Sequence, residues 1–95
     1  MKLLFITEIA GAQHTGNAEL LAGLPLGEPL DLIAEPENKF DKNAIRVVAE
    51  SGEKLGYIPA SHALAATNAN FAIILQKDEK ATHIRGAVKI GVYSL

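Results

Sequence analysis

Phe40 and Asp41 stand side by side in the polar run Pro36-Glu37-Asn38-Lys39-Phe40-Asp41-Lys42-Asn43, and this pair carries the clearest chemistry in the sequence. An aromatic ring left in solvent gives any nucleobase a face to stack on, worth about 1–3 kcal/mol per base. An ionised carboxylate beside it accepts a hydrogen bond from a sugar hydroxyl and repels a phosphate at the same place, which is a physical means of selecting free ends. Lys39, Lys42 and Arg46 lie close by in sequence and are candidates to meet phosphate. Gln13 and His14, in the polar turn between Gly11 and Gly16, are further candidate contacts, because loops that follow strands present exposed groups. Tyr57 completes the set with a hydroxyl able to reach a site rim.

Each residue also has a plainer reading. Phe40 could fold back as a plug over the end of the core, the commonest use of phenylalanine in a small domain. Asp41 and Asn43 both favour turns by bonding to neighbouring backbone, so their spacing could serve only the loop. Tyr57, on a strand, could pack across to a neighbour.

Other chemistries find less support. No nucleophile beside a base, paired carboxylates or phosphate-cradling glycine loop occurs at convincing spacing, so no catalytic residue is assigned and the chain is not read as an enzyme. His14, His62 and His83 are widely separated and there is no cysteine, so neither a metal site nor a cofactor is expected.

With 95 residues, 48% apolar and 21% charged, the sequence has the balance of one folded domain spanning 1–95. The net charge of −2 argues against extended, non-specific duplex binding, which relies on many lysine and arginine contacts. A site holding one or two nucleotides needs few cations and remains compatible with it. The early apolar run Leu3 to Ile6 is too short for a leader or a membrane span, so a cytoplasmic protein without a membrane partner is expected.

The elements that must position these residues are mostly strands. Leu3 to Ile9 reads as a buried strand, and Asn17 as the cap of a short helix through Gly23. Leu30 to Glu35 alternates as a half-buried strand, and Ala44 to Ala49 forms the next. Glu50-Ser51-Gly52-Glu53 turns the chain into a returning strand, Lys54 to Ile58, in which Gly56 marks a bulge or a close approach. Ser61 reads as the cap of a second helix from His62 to Thr67, followed by strand Phe71 to Leu75 and a turn from Gln76 to Ala81. Thr82 to Val92 alternates as a final strand, with Ile84, Val88, Ile90 and Val92 on one face and His83, Arg85, Lys89 and Tyr93 on the other. These elements predict a mainly β fold with two short helices, a small OB-like or SH3-like barrel of about six strands. Ile45, Val47, Leu55, Ile84, Val88 and Ile90 should share its core.

The run Leu32 to Val47, with Glu35-Pro36, Asn38 and Phe40-Asp41-Lys42-Asn43-Ala44-Ile45-Arg46-Val47, followed by Gly56-Tyr57-Ile58-Pro59, resembles the HIRAN domain over roughly residues 3 to 67. Members of that family occur alone in bacteria or fused to DNA translocases and other nucleic-acid enzymes, and this sequence looks like a small stand-alone bacterial member. The resemblance implies an OB-like barrel that grips the 3′-hydroxyl end of single-stranded DNA, with Phe40 stacking on the terminal base and Asp41 receiving the terminal hydroxyl. Its implied partners are single-stranded DNA or DNA ends, together with a DNA-processing enzyme. Two positions depart from the pattern: Gln13 and His14 stand where DNA-gripping relatives carry an arginine and an aromatic, and Ala60 and Ser61 where a basic residue is common. A protein-interaction module that keeps the barrel without the DNA contacts is therefore the alternative from another class.

Overall fold

The computed structural model describes residues 1–78 and 87–95. Six strands, β1 (Lys2–Glu8), β2 (Pro29–Ala34), β3 (Ile45–Val48), β4 (Lys54–Tyr57), β5 (Phe71–Lys77) and β6 (Val88–Ser94), form one antiparallel sheet in the order β1-β6-β5-β2-β3-β4. The described helical elements are α1 (Ala18–Gly23) and two 3-10 turns, Ala12–His14 and Ala60–His62.

The sheet curls until its two ends meet. Just past β1, Ala10 donates its amide to the Tyr57 carbonyl at 2.8 Å and accepts the Tyr57 amide at 2.9 Å, so a single bridge joins opposite edges into a partly closed barrel. Gly56 makes that approach possible. Its φ of 148° is one that side chains rarely adopt, and a Cβ there would lie 2.5 Å from both the Ala10 carbonyl oxygen and Ile9 Cγ2. The register also slips here, since Val47 faces Gly56 while Val48 faces Lys54, so Leu55 is the extra residue of a bulge and is buried in the core. Gly56 thus serves both the bulge and the close approach expected of it.

Leu21, Leu30, Val47, Leu55, Ile74, Ile90 and Val92 form the deepest layer of the core. Ile45, Val47, Leu55, Val88 and Ile90 belong to one cluster, as their alternation requires, while Ile84 lies outside the described residues. His83 and Arg85 lie outside them too.

Four local expectations are corrected. β1 is an edge strand paired along its length with β6, and it is only partly buried, with Leu3 and Ile6 exposed. Asn17 precedes α1 but makes no side-chain cap; its Nδ2 instead donates to the Lys54 carbonyl at 2.9 Å, tying the helix start to β4. No second α-helix follows Ser61. That residue sits inside the 3-10 turn, and the amides of Ala63, Thr67 and Ala69 each reach back three residues while that of Ala66 is shared between Ala63 and His62, so the chain continues in turns with Ala63 and Ala66 buried. Gln76 and Lys77 continue β5 rather than turning, because they still pair with Lys89 and Val88. Lys77 is further held by hydrogen bonds from Nζ to the Ala22 and Leu24 carbonyls.

Candidate nucleic-acid interface

The loop between β2 and β3 is organised around Glu35, the first residue past β2. One carboxylate oxygen accepts hydrogen bonds from Asn38 Nδ2 and the Tyr57 hydroxyl, both at 2.9 Å, and the other accepts Arg46 Nε at 2.5 Å. Three donors to one carboxylate favour its charged form, and they hold the Glu35 pKa down from the usual 4.5 to about 2, with the Asn38 bond contributing most. Arg46 sits on β3 and Tyr57 on β4, so the hub fastens the loop to two strands.

Asn38 passes that order to the tip. Its Oδ1 accepts the amide of Phe40 at 2.9 Å and that of Asp41 at 3.0 Å, which fixes the backbone of both residues. Asp41 Oδ1 in turn accepts the Asn43 amide at 2.8 Å, so the turn-forming role of this pair is real. Its other carboxylate oxygen takes no hydrogen bond from the described residues.

Phe40 is 99% exposed. The core-plug reading is excluded, since a ring at the tip of a pinned loop contributes nothing to the hydrophobic core. Beneath it opens a cavity of about 490 Å³ lined by Phe40, Asp41, Asn38, Tyr57, Lys54 and Ala10, among others. An aromatic, an acidic and a basic residue therefore line one open space whose volume falls in the range of small-molecule sites.

The other candidates lie around this cavity. Arg46 lines a neighbouring, more polar space of about 530 Å³ with Glu35, Glu37 and Asn38, and its Nε is committed to Glu35. Lys39 is exposed between Asn38 and Phe40. Lys42 and Asn43 line a different groove of about 270 Å³, walled largely by alanines between β2, β3 and the turns after Ala60. That groove is more enclosed but offers no aromatic ring and no carboxylate. Gln13 and His14 are exposed on the 3-10 turn that packs against β4, and neither lines the cavity; from their connection it is Ala10 that does. His62 stacks on the Phe5 ring with centroids 5.2 Å apart.

Sequence reasoning passed over three residues as site members: Glu35, Asn38 and Lys54. The first two were visible within the Glu-Pro-x-Asn run, where an acceptor and an amide three positions apart across a proline can close a turn. Nothing local distinguishes Lys54, which reaches the cavity only because the barrel closes beside it.

The chain is thus a half-closed antiparallel barrel whose loop between β2 and β3 holds an aromatic ring in solvent beside a carboxylate. The family model of the HIRAN domain matches residues 2–88, and the chain belongs to that family. At the level of the family this supports a nucleic-acid-binding module. Among solved structures, a protein from Lactobacillus plantarum matches with a TM-score of 0.70 at 21% identity, covering 92% of this chain and 87% of that one. The crystal structure of the HIRAN domain of human HLTF matches with a TM-score of 0.67 at 18% identity, covering 95% of this chain and 76% of that one. The NMR structure of the HLTF HIRAN domain gives 0.58 at 19% identity, with 98% and 78% covered. These similarities establish the shared fold. A search of curated proteins finds no match. No helix among the described residues is long and apolar enough to cross a membrane.

Proposed function

We propose that this protein binds the 3′-hydroxyl end of single-stranded DNA and acts as a binding module rather than a catalyst. The observation that carries the reading is the pairing of a fully exposed Phe40 with Asp41 on a loop whose backbone is held by Asn38 and Glu35. Preorganisation matters because a ring already in place loses little freedom when a base stacks on it. The open Asp41 oxygen then accepts the terminal hydroxyl, while its charge turns away an end that carries phosphate. Lys39 and Lys42 flank the tip and serve phosphates further along the strand, and Gln13 and His14 meet the strand where it leaves the cavity toward the 3-10 turn.

Amide chemical-shift titration with a short single-stranded DNA tests the reading. Shifts should concentrate at Phe40, Asp41, Tyr57 and the surrounding loop and diminish gently with salt, at a log–log slope of about −0.7 for each phosphate met. A steep slope with shifts spread over the barrel would indicate an extended groove instead. An absence of shifts at low salt would favour a protein-interaction role for the exposed ring.

A further inference from the structure

Lys54 enters the cavity beneath Phe40 from the start of β4, its ammonium nitrogen 4.6 Å from the centre of the Tyr57 ring. Other described cations are engaged or placed elsewhere. Arg46 is paired with Glu35, Lys77 holds two carbonyls, Lys89 lies 3.8 Å from Glu8, Lys42 lines the alanine-walled groove, and the exposed Lys2 and Lys39 do not line this cavity. Among the described residues, Lys54 makes no ion pair and is the one cation lining the cavity that holds Phe40 and Asp41.

We propose that Lys54 is the phosphate-binding residue of this cavity and takes the phosphodiester on the 5′ side of the terminal nucleotide, an assignment that rests on the end-binding reading above. A nucleotide with its base on Phe40 and its 3′-hydroxyl on Asp41 carries its one charge on the opposite side of the sugar, on the 5′ phosphate, where a cation lining the same space can meet it. Lys54 is that cation. Its ammonium rests on the negative face of an aromatic ring instead of on a carboxylate, so no ion pair has to be broken before it meets a phosphate oxygen. The ring is itself fixed, because the Tyr57 hydroxyl is bonded to Glu35. Opposite charges at two points of one cavity thereby distinguish the two sides of a sugar, the carboxylate taking the hydroxyl and the ammonium the phosphate. This arrangement also explains how a chain of net charge −2 that carries Ala60 and Ser61 after Pro59 still supplies a cation to the site.

The full chain is titrated with a short oligothymidine bearing a free 3′-hydroxyl, and with the same oligonucleotide carrying an uncharged methylphosphonate as its last linkage. Lys54→Met should weaken binding of the first about fivefold or more and flatten its salt slope by about 0.7, while leaving binding of the second unchanged. Lys54→Arg should restore the slope, which separates loss of charge from loss of fold. Lys2→Met, the same charge change at the start of β1 and outside the cavity, should alter neither affinity. If Lys54→Met keeps wild-type affinity and slope while Phe40→Ala still loses binding, the Lys54 assignment is wrong and end binding stands. If the wild type binds neither oligonucleotide, end binding fails and this assignment fails with it.

Discussion

Tyr57 on β4 donates its hydroxyl to Glu35 at 2.9 Å, and the same carboxylate oxygen receives Asn38 Nδ2 from the site loop. One acceptor thus couples the barrel wall to the amide that holds Phe40 and Asp41 in place. Removing the intermediate should loosen the tip without dismantling the barrel. Asn38→Ala is expected to cost about 1 kcal/mol of stability and to speed hydrogen exchange at the Phe40 and Asp41 amides selectively, as measured by NMR. Unchanged exchange at those two amides would mean that Asn38 does not order the tip.

Acid should release the same hub. Because the folded-state pKa of Glu35 is depressed to about 2, its contribution is fully present above the unfolded value of 4.5 and is lost as pH falls through the folded one. Urea midpoints should therefore decline between about pH 5 and pH 2. Glu35→Gln should start lower and show a shallower decline. Some slope will persist, since the Ser51 hydroxyl also holds the Glu53 carboxyl below its ordinary range. Parallel curves for wild type and variant would contradict the role given to Glu35.

Closure of the barrel should be the least tolerant feature. Gly56→Ala places a methyl group against the Ala10 carbonyl, which is fixed by its own bridge to Tyr57 and cannot withdraw as a flexible side chain would. A loss of about 2–4 kcal/mol is expected by chemical denaturation. A loss below about 0.5 kcal/mol, the scale of neutral surface changes, would show that the bridge is dispensable.

The strands were legible because alternation at Ile45, Val47, Val88 and Ile90 reports directly which face is buried, and turn residues at Glu50 to Glu53 punctuate it. The segment after Ser61 misled because alanines and a serine satisfy a helix pattern and a run of tight turns equally well, and no residue in it favours one over the other. The pair Phe40 and Asp41 was visible as chemistry, but exposure of the ring was not, since sequence cannot tell a ring folded inward from one held outward by Asn38. Lys54 was the least visible. Its place in the cavity depends on the bulge at Leu55 and the Ala10 bridge, both long-range consequences of the curl of the sheet.

Exposure of Phe40 separates stability from binding. Phe40→Ala should leave the denaturation midpoint within the equivalent of about 0.5 kcal/mol of wild type, because the ring makes no core contact. Affinity for single-stranded DNA should nevertheless fall by about 1–3 kcal/mol, equally for hydroxyl and phosphate ends, because stacking is blind to the terminus. Marked destabilisation would return the ring to a structural role.

The most direct measurement compares two oligonucleotides that differ only in a 3′-hydroxyl or a 3′-phosphate, titrated into wild type and Asp41→Ala. The phosphate removes the donor and sets two negative charges together, so the wild type should prefer the hydroxyl end by about 1.5–3 kcal/mol, tenfold or more. Asp41→Ala should bind the hydroxyl end more weakly and lose most of that preference. Equal binding of both ends by the wild type, or a preference that survives in a folded Asp41→Ala protein, would contradict recognition of the 3′-hydroxyl by Asp41.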